Sequence, residues 1–233
     1  MSDNIKILKS NGQLELFNRE KLRNSLKKSG ASSILANEIS DKIESELKNG
    51  IETSKIYKRA YEILNQKSKK TALRYSIRRK LSELGPTGFP FEKYIAKIMN
   101  AKGYKTQTGI MLVGKCIEHE IDVLAYDIDD LLLIEAKYHN EINTKTDTKV
   151  TLYIKARFDD LSEQEFLIEG KKRKMTNGLL ITNTKFTENA KKYAKCANLD
   201  LISWDYPEKG NLYELIESTE IYPEKDLDLL NFK

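Results

Sequence analysis

Two acids and a lysine stand where apolar strands end. The run Ile121-Asp122-Val123-Leu124-Ala125 is followed shortly by Leu131-Leu132-Leu133-Ile134-Glu135-Ala136-Lys137. An isolated charge in a low-dielectric interior costs several kcal/mol, so something must compensate these side chains. A divalent cation and a phosphodiester would do so. Glu135 and Lys137, two apart on a strand, point the same way about 6.6 Å from one another, and Asp122 lies about 4.8 Å to the side if the two strands pair. Ala136 faces the opposite side and leaves its carbonyl available. One Mg²⁺, which takes oxygen ligands at about 2.0 to 2.1 Å and keeps several waters, could reach both carboxylates and that carbonyl. The metal would acidify an attacking water and offset charge on the phosphorane-like transition state, with Lys137 positioning or deprotonating the water.

The pattern acid-x-Lys by itself is common here, recurring at Glu46, Glu135, Asp147 and Glu169. Only Glu135 ends an apolar strand that follows an Asp-bearing strand; the alternative is an edge-strand ion pair between Glu135 and Lys137. His139 could touch a phosphate or simply open a loop. Arg157 and Asp160 suit a phosphate clamp or an ordinary surface ion pair. By strand parity His119 faces away from Asp122, while Glu118 and Glu120 share its side and only Glu120 is close enough to matter.

The elements that must position these residues are legible as patterns. Phe91, Ile95, Ile98 and Met99 fall at helical spacing and Gly103 closes that helix. Strands are expected near 104–115, 119–127 and 131–138, then a helix carrying Val150, Ile154, Phe158 and Leu161 on one face. Gly178-Leu179-Leu180-Ile181-Thr182 reads as a buried strand, 187–199 as a helix with a small face of Ala190, Ala194 and Ala197, and Leu201 to Trp204 as a last strand. The order α, β, β, β, α, β, α, β describes an α/β domain with a mixed sheet. Ahead of it, Asn11-Gly12 between Ile5–Lys9 and Leu14–Phe17 favours a tight hairpin. Asn18 caps a helix through Ser29, stopped by Gly30, with Leu22 and Leu26 on one stripe, and further helices are expected near 33–48, 53–66 and 68–84. Gly85-Pro86-Thr87-Gly88-Phe89-Pro90 breaks the helical pattern, which places a boundary between domains 1–85 and 86–233.

Charge divides at the same place. Residues 1–88 hold 19 Lys and Arg against 10 Asp and Glu, leaving 21 against 25 in the remainder. The first part therefore suits a nucleotide or nucleic-acid partner, and a solvated lysine-rich surface would look similar. Cys116 and Cys196 are far apart with no CxxC, which disfavours a disulfide framework or zinc ribbon. With no apolar run approaching 18 residues and no basic-then-apolar start, the expectation is a soluble, cytoplasmic protein.

The segment from Phe91 to Trp204 resembles the Mrr-type restriction endonuclease domain of the PD-(D/E)XK superfamily. The matching residues are Glu92 in the preceding helix, Asp122 in Glu120-Ile121-Asp122-Val123, Glu135-Ala136-Lys137, and Gly178 to Asn183 before the alanine-rich 190–194 stretch. The resemblance implies a restriction-endonuclease-like mixed sheet flanked by helices, Glu92, Asp122, Glu135 and the Ala136 carbonyl as Mg²⁺ ligands, and Lys137 orienting the nucleophilic water.

For the amino-terminal part, Lys9, Asn18 and Lys21 around a hairpin and a helix start would suit a triphosphate, and no Walker-type glycine loop is present. Residues 5–84 resemble an ATP-cone, a small mainly helical nucleotide-sensing domain with a β-hairpin. The resemblance rests on Ile7-Leu8-Lys9, Gly12, Phe17-Asn18, Lys21-Leu22 and Ile51 to Ile56. It implies ATP or dATP among Lys9, Glu15, Asn18, Lys21 and Thr53, and regulation through oligomeric state without ATP hydrolysis.

Together these readings point to a Mg²⁺-dependent endonuclease acting on double-stranded DNA, restriction or defence in type, governed by ATP or dATP and working as a homodimer or larger homo-oligomer. The alternative is a nucleotide-responsive nucleic-acid-binding protein whose nuclease fold is inactive or structure-specific. A complete set of acid, acid and lysine favours the enzyme.

Overall fold

The computed structural model describes residues 5–9, 12–85, 87–141 and 144–223. The chain divides into two compact units, Met1–Ile77 and Arg78–Lys233.

In the first unit β1 (Lys6–Leu8) and β2 (Leu14–Leu16) form an antiparallel hairpin. Gly12, at φ +80°, takes the left-handed conformation its turn requires, while Asn11 lies outside the described residues. Next come α1 (Arg19–Lys28), α2 (Ser33–Glu46), β3 (Ile51–Glu52), α3 (Thr53–Lys67) and α4 (Lys69–Ser82). Asn18 caps α1 by accepting the Lys21 N–H at 2.9 Å, and Ser32 caps α2 by accepting that of Leu35 at 3.1 Å. Gly30 follows α1 at φ +91°. Leu22 and Leu26 are buried with Ile39, Ile43, Ile56 and Leu64, so the expected stripe faces the core. Strand β3 lacks a sequence signal because two residues are too few to show alternation. It pairs parallel to β1 through Ile7 and Ile51.

The two compact units part inside α4, between Ile77 and Arg78. Pro86 lies outside the described residues.

The second unit begins with α5 (Phe89–Ala101) and continues through β4 (Lys105–Val113), β5 (Glu118–Tyr126), β6 (Leu131–Lys137), β7 (Lys145–Thr146) and α6 (Thr148–Ser162). Then follow β8 (Phe166–Ile168), β9 (Lys171–Arg173), β10 (Asn177–Thr182), β11 (Lys185–Phe186), α7 (Glu188–Cys196), β12 (Asp200–Ile202) and α8 (Leu212–Thr219). A five-stranded mixed sheet runs β12-β10-β6-β5-β4, antiparallel from β4 to β6 and parallel from β6 to β12. The fold is α/β with a mixed sheet, as the order of sequence patterns predicts. Asp147 starts α6 and Thr187 starts α7, their side-chain oxygens accepting first-turn N–H groups.

Ile154 and Leu161 of α6 are buried among Ile121, Leu124, Leu133 and Leu180, with Val150 and Phe158 against them. Gly178 lies close under this helix, since a Cβ there would sit 3.2 Å from the Phe158 ring and 3.1 Å from Leu199. Ala190 and Ala194 give α7 its close approach, but Ala197 only caps the helix and is partly exposed. The short pairs β7–β11 and β8–β9 and helix α8 have no counterpart in the sequence reading. Among the described residues no helix is long and apolar enough to cross a membrane, and both cysteines are free thiols.

Candidate active site

Strands β5 and β6 pair from Tyr126 opposite Leu131 to Val123 opposite Ile134, and there the paired rungs end. Just past the last rung lie Asp122 and Glu135. The Asp122 carboxylate crosses the parting strands, its Oδ2 accepting the Ala136 N–H at 2.8 Å. The β4–β5 register continues on both sides of Asp122, with Thr108 opposite Val123 and Ile110 opposite Ile121. Yet Ile121 and Leu124, three apart, join one core cluster, which strict alternation forbids. The departure centres on Asp122, across from Gly109 at φ +61°. Strand parity therefore does not carry through 121–124, and Asp122 sits at a local break in the pleat.

Glu135 and Lys137 follow the expected alternation, both half-buried, with buried Ala136 between them. On the neighbouring strand Leu180 pairs with Glu135 and Thr182 with Lys137, so parallel β10 supports the lysine end of the motif. Glu92, in the first turn of α5, couples electrostatically to Asp122, Glu120 and Glu135. Burial first, and then these acids, push its carboxyl up to about 7. Burial raises Asp122 as well, opposed by the Ala136 N–H and Arg157. Glu135 is raised by burial and by Asp122, opposed by Arg157.

Arg157 departs from both sequence alternatives. It is neither an exposed phosphate clamp nor a surface ion pair. The buried side chain reaches from α6 to place Nη1 2.5 Å from Glu135 Oε2 and to donate from Nη2 to the Glu120 carbonyl. Nothing in a helix pattern distinguishes an arginine that turns inward toward a strand 22 residues earlier. Asp160 is likewise internal. Its carboxylate accepts the Cys116 and Ile117 N–H groups at 2.8 and 3.3 Å and stands 2.8 Å from His119 Nε2. The His119 bond, ahead of the others, holds its carboxyl down at about 2. Asp160 thus ties the β4–β5 turn to α6, and His119 faces that tie.

His139 is pinned just beyond Lys137. Asn183 accepts its N–H at 2.9 Å and donates to its carbonyl at 2.8 Å, while its Nε2 lies 3.0 Å from Thr146 Oγ1. Burial, and then Lys137, lower its pKa. Tyr138 donates to the Ser82 carbonyl at 2.8 Å and packs against Phe91. Asn183 is the positioning residue that spacing alone does not single out. Its position directly after the strand-ending Leu180-Ile181-Thr182 is the available hint.

A family model described as a restriction endonuclease matches residues 85–206. The chain belongs to the restriction endonuclease family. A second model, the ATP cone domain, matches residues 5–84, so the restriction endonuclease domain follows an ATP cone. The chain is 39% identical over 129 residues to an uncharacterized protein of Archaeoglobus fulgidus, a match spanning 55% of this chain and 68% of that protein. It is also similar to the crystal structure of a protein of unknown function, at 36% identity and TM-score 0.51, covering 60% of this chain and 70% of that one.

In the ATP cone four of the five residues expected at the nucleotide, Lys9, Glu15, Asn18 and Lys21, are linked by polar contacts. Glu15 pairs with Lys9 and, at 2.8 Å, with Lys21. Asn18 accepts the Lys21 N–H, and Thr53 donates to the Leu8 carbonyl at 3.3 Å. The Lys21 bond first, with that of Lys9, brings the Glu15 carboxyl down to about 2.

Proposed function

We propose that this chain is a divalent-metal-dependent endonuclease for double-stranded DNA, with residues 86–233 as the catalytic domain. Residues 1–85 act as the cone, through which ATP or dATP governs activity or assembly into a homo-oligomer. The observation that carries the reading is the meeting of Asp122 and Glu135 where β5 and β6 part, with Lys137 two residues along.

The donor set fits a hard cation. Four carboxylates, Glu92, Glu120, Asp122 and Glu135, couple at this place, and Arg157 and Lys137 are the cations that couple to them. The residual negative charge suits an oxygen-preferring ion such as Mg²⁺. Asp122, Glu135 and the Ala136 carbonyl would hold it, with Glu92 beside them. Bound there, it would supply Lewis acidity to a scissile phosphate and its attacking water. Asp122 is aimed by the Ala136 N–H, Lys137 offers a cation to a phosphate oxygen or the water, and Asn183 fixes the backbone after Lys137.

Incubation with plasmid and Mg²⁺, with and without ATP or dATP, tests the proposal. Metal-dependent cutting that Lys137→Ala abolishes supports it, and unchanged cutting by that variant overturns the assignment. One observation favours a second reading, nucleotide-responsive DNA binding without cleavage. Among the described residues no three His, Cys, Asp or Glu side chains close into a ready metal cage, and Glu135 is engaged by Arg157. That reading predicts binding that weakens steeply with salt and no metal-dependent cutting.

A further inference from the structure

We infer that Arg157 is an internal counter-ion of the catalytic site, a guanidinium that neutralises Glu135 until a divalent cation displaces it. The inference rests on the metal-dependent reading above and adds a regulating residue to it. Arg157 stands in the body of α6 with its side chain 8% exposed, and Glu135 is 17% exposed. A cation so placed contributes little to solubility, and burying it costs solvation that only good partners offset. Its partners offset this incompletely. Nη1 meets Glu135 and Nη2 the Glu120 carbonyl, but the buried Nε finds no acceptor among the described residues. A bare buried donor is costly.

Both contacts fall on the catalytic acids' own strands. The Glu120 carbonyl lies two residues before Asp122, so a single guanidinium spans the two strands that supply the metal-facing carboxylates. A divalent cation carries twice the charge of the guanidinium and takes several oxygens at once. Its binding at Glu135 therefore competes with Arg157, and the protein is held without metal in a state where its acids are partly neutralised.

Calorimetric titration of the full chain with MnCl₂, beside thermal unfolding with and without Mn²⁺, tests this without relying on activity. Arg157→Met is expected to bind Mn²⁺ about tenfold or more tightly than the parent, because a full charge is removed at ion-pair distance. Its unfolding temperature should be lower without Mn²⁺ and should rise further on adding it. Arg157→Lys, which keeps the charge but loses the two-pronged grip, should fall between. Combining Arg157→Met with Glu135→Gln should erase the gain. Equal or weaker Mn²⁺ binding by a folded Arg157→Met overturns the inference.

If Arg157→Met does not fold, Arg157→Lys decides, since affinity no tighter than the parent's overturns the inference equally. Asp122→Asn separates the two readings. Mn²⁺ binding that Asp122→Asn removes but the Arg157 variants do not tighten ends this inference alone. No Mn²⁺ binding by the parent chain ends the metal reading and this inference with it.

Discussion

The Ala136 N–H donates to Asp122 Oδ2 over 2.8 Å, so the middle residue of Glu135-Ala136-Lys137 ties β6 to β5 beyond their last paired rung. The acid is therefore both a candidate metal ligand and a fastening between strands. These roles separate by substitution. Asp122→Asn retains an oxygen for Ala136 and should unfold within about 1 kcal/mol of the parent, while Asp122→Ala orphans the N–H and should cost about 1 to 3 kcal/mol. DNA cleavage should fall at least about a hundredfold in both, as removal of a transition-state charge-stabilising group does. Denaturant unfolding beside a plasmid assay measures the two effects, and full cleavage by Asp122→Asn would remove Asp122 from the site.

Glu92 sets a pH dependence. Its carboxyl is pushed up to about 7 by burial and by neighbouring acids, against an ordinary 4.5. Between these values the folded chain binds more protons than the unfolded one, so without metal its stability falls as pH rises from about 4.5 to 7 and then levels. Metal binding runs the other way, because a cation favours the ionised carboxylate. Mn²⁺ affinity should rise from pH 6 to pH 8 with proton release, and Glu92→Gln should flatten both trends. Calorimetry in two buffers of different ionisation enthalpy detects the proton.

Asp160 is expected to act on stability rather than directly on chemistry. It gathers the Cys116 and Ile117 N–H groups and His119, and Gly114 lies so close that a Cβ there would meet Asp160 Oδ2 at 2.1 Å and the Ile117 carbonyl at 2.9 Å. Gly114→Ala cannot be accommodated without displacing backbone and should cost about 1 to 3 kcal/mol. Asp160→Ala should lower the unfolding temperature by roughly 5 °C or more, since it orphans several polar groups at once. Because its carboxyl is held at about 2, below the ordinary 3.8, the stabilisation is present above pH 4 and is lost as pH falls through 2. Scanning calorimetry of both variants at pH 7 and pH 3 checks the order.

Local chemistry explains what was legible in the sequence. The cap at Asn18, the stop at Gly30 and the apolar runs of β5, β6 and β10 write their elements into a few adjacent residues. The acid-x-Lys at Glu135 was legible because it broke such a run. Arg157 and Asp160 were not, because their partners lie 22 and 41 to 44 residues earlier and a helix pattern shows only that they flank an apolar stripe. Strand parity placed His119 away from the site but missed the break at Asp122, which lies across from Gly109 on the neighbouring strand. The two-residue strands β3, β7 and β11 carry no period at all.

In the cone, Glu15 occupies both lysines that a triphosphate would need, pairing with Lys9 and with Lys21 at 2.8 Å. A nucleotide binding there must draw them away from Glu15 or join them to it through a cation. Lys9→Ala and Lys21→Ala should each weaken ATP and dATP binding about tenfold or more, the usual scale for a charge-assisted phosphate contact. Glu15→Gln distinguishes the two modes. Tighter nucleotide binding in the absence of Mg²⁺ means that the carboxylate competes with phosphate for the lysines. Weaker binding confined to Mg²⁺-containing buffer means that Glu15 helps carry the nucleotide's metal. Asn18→Ala should lower stability through the lost α1 cap by about 1 kcal/mol, and nucleotide should restore part of that loss if it meets the same helix start. Calorimetry with each nucleotide, read beside thermal unfolding, separates these outcomes. Absence of heat with the parent chain would remove the sensing role while leaving the nuclease reading untouched.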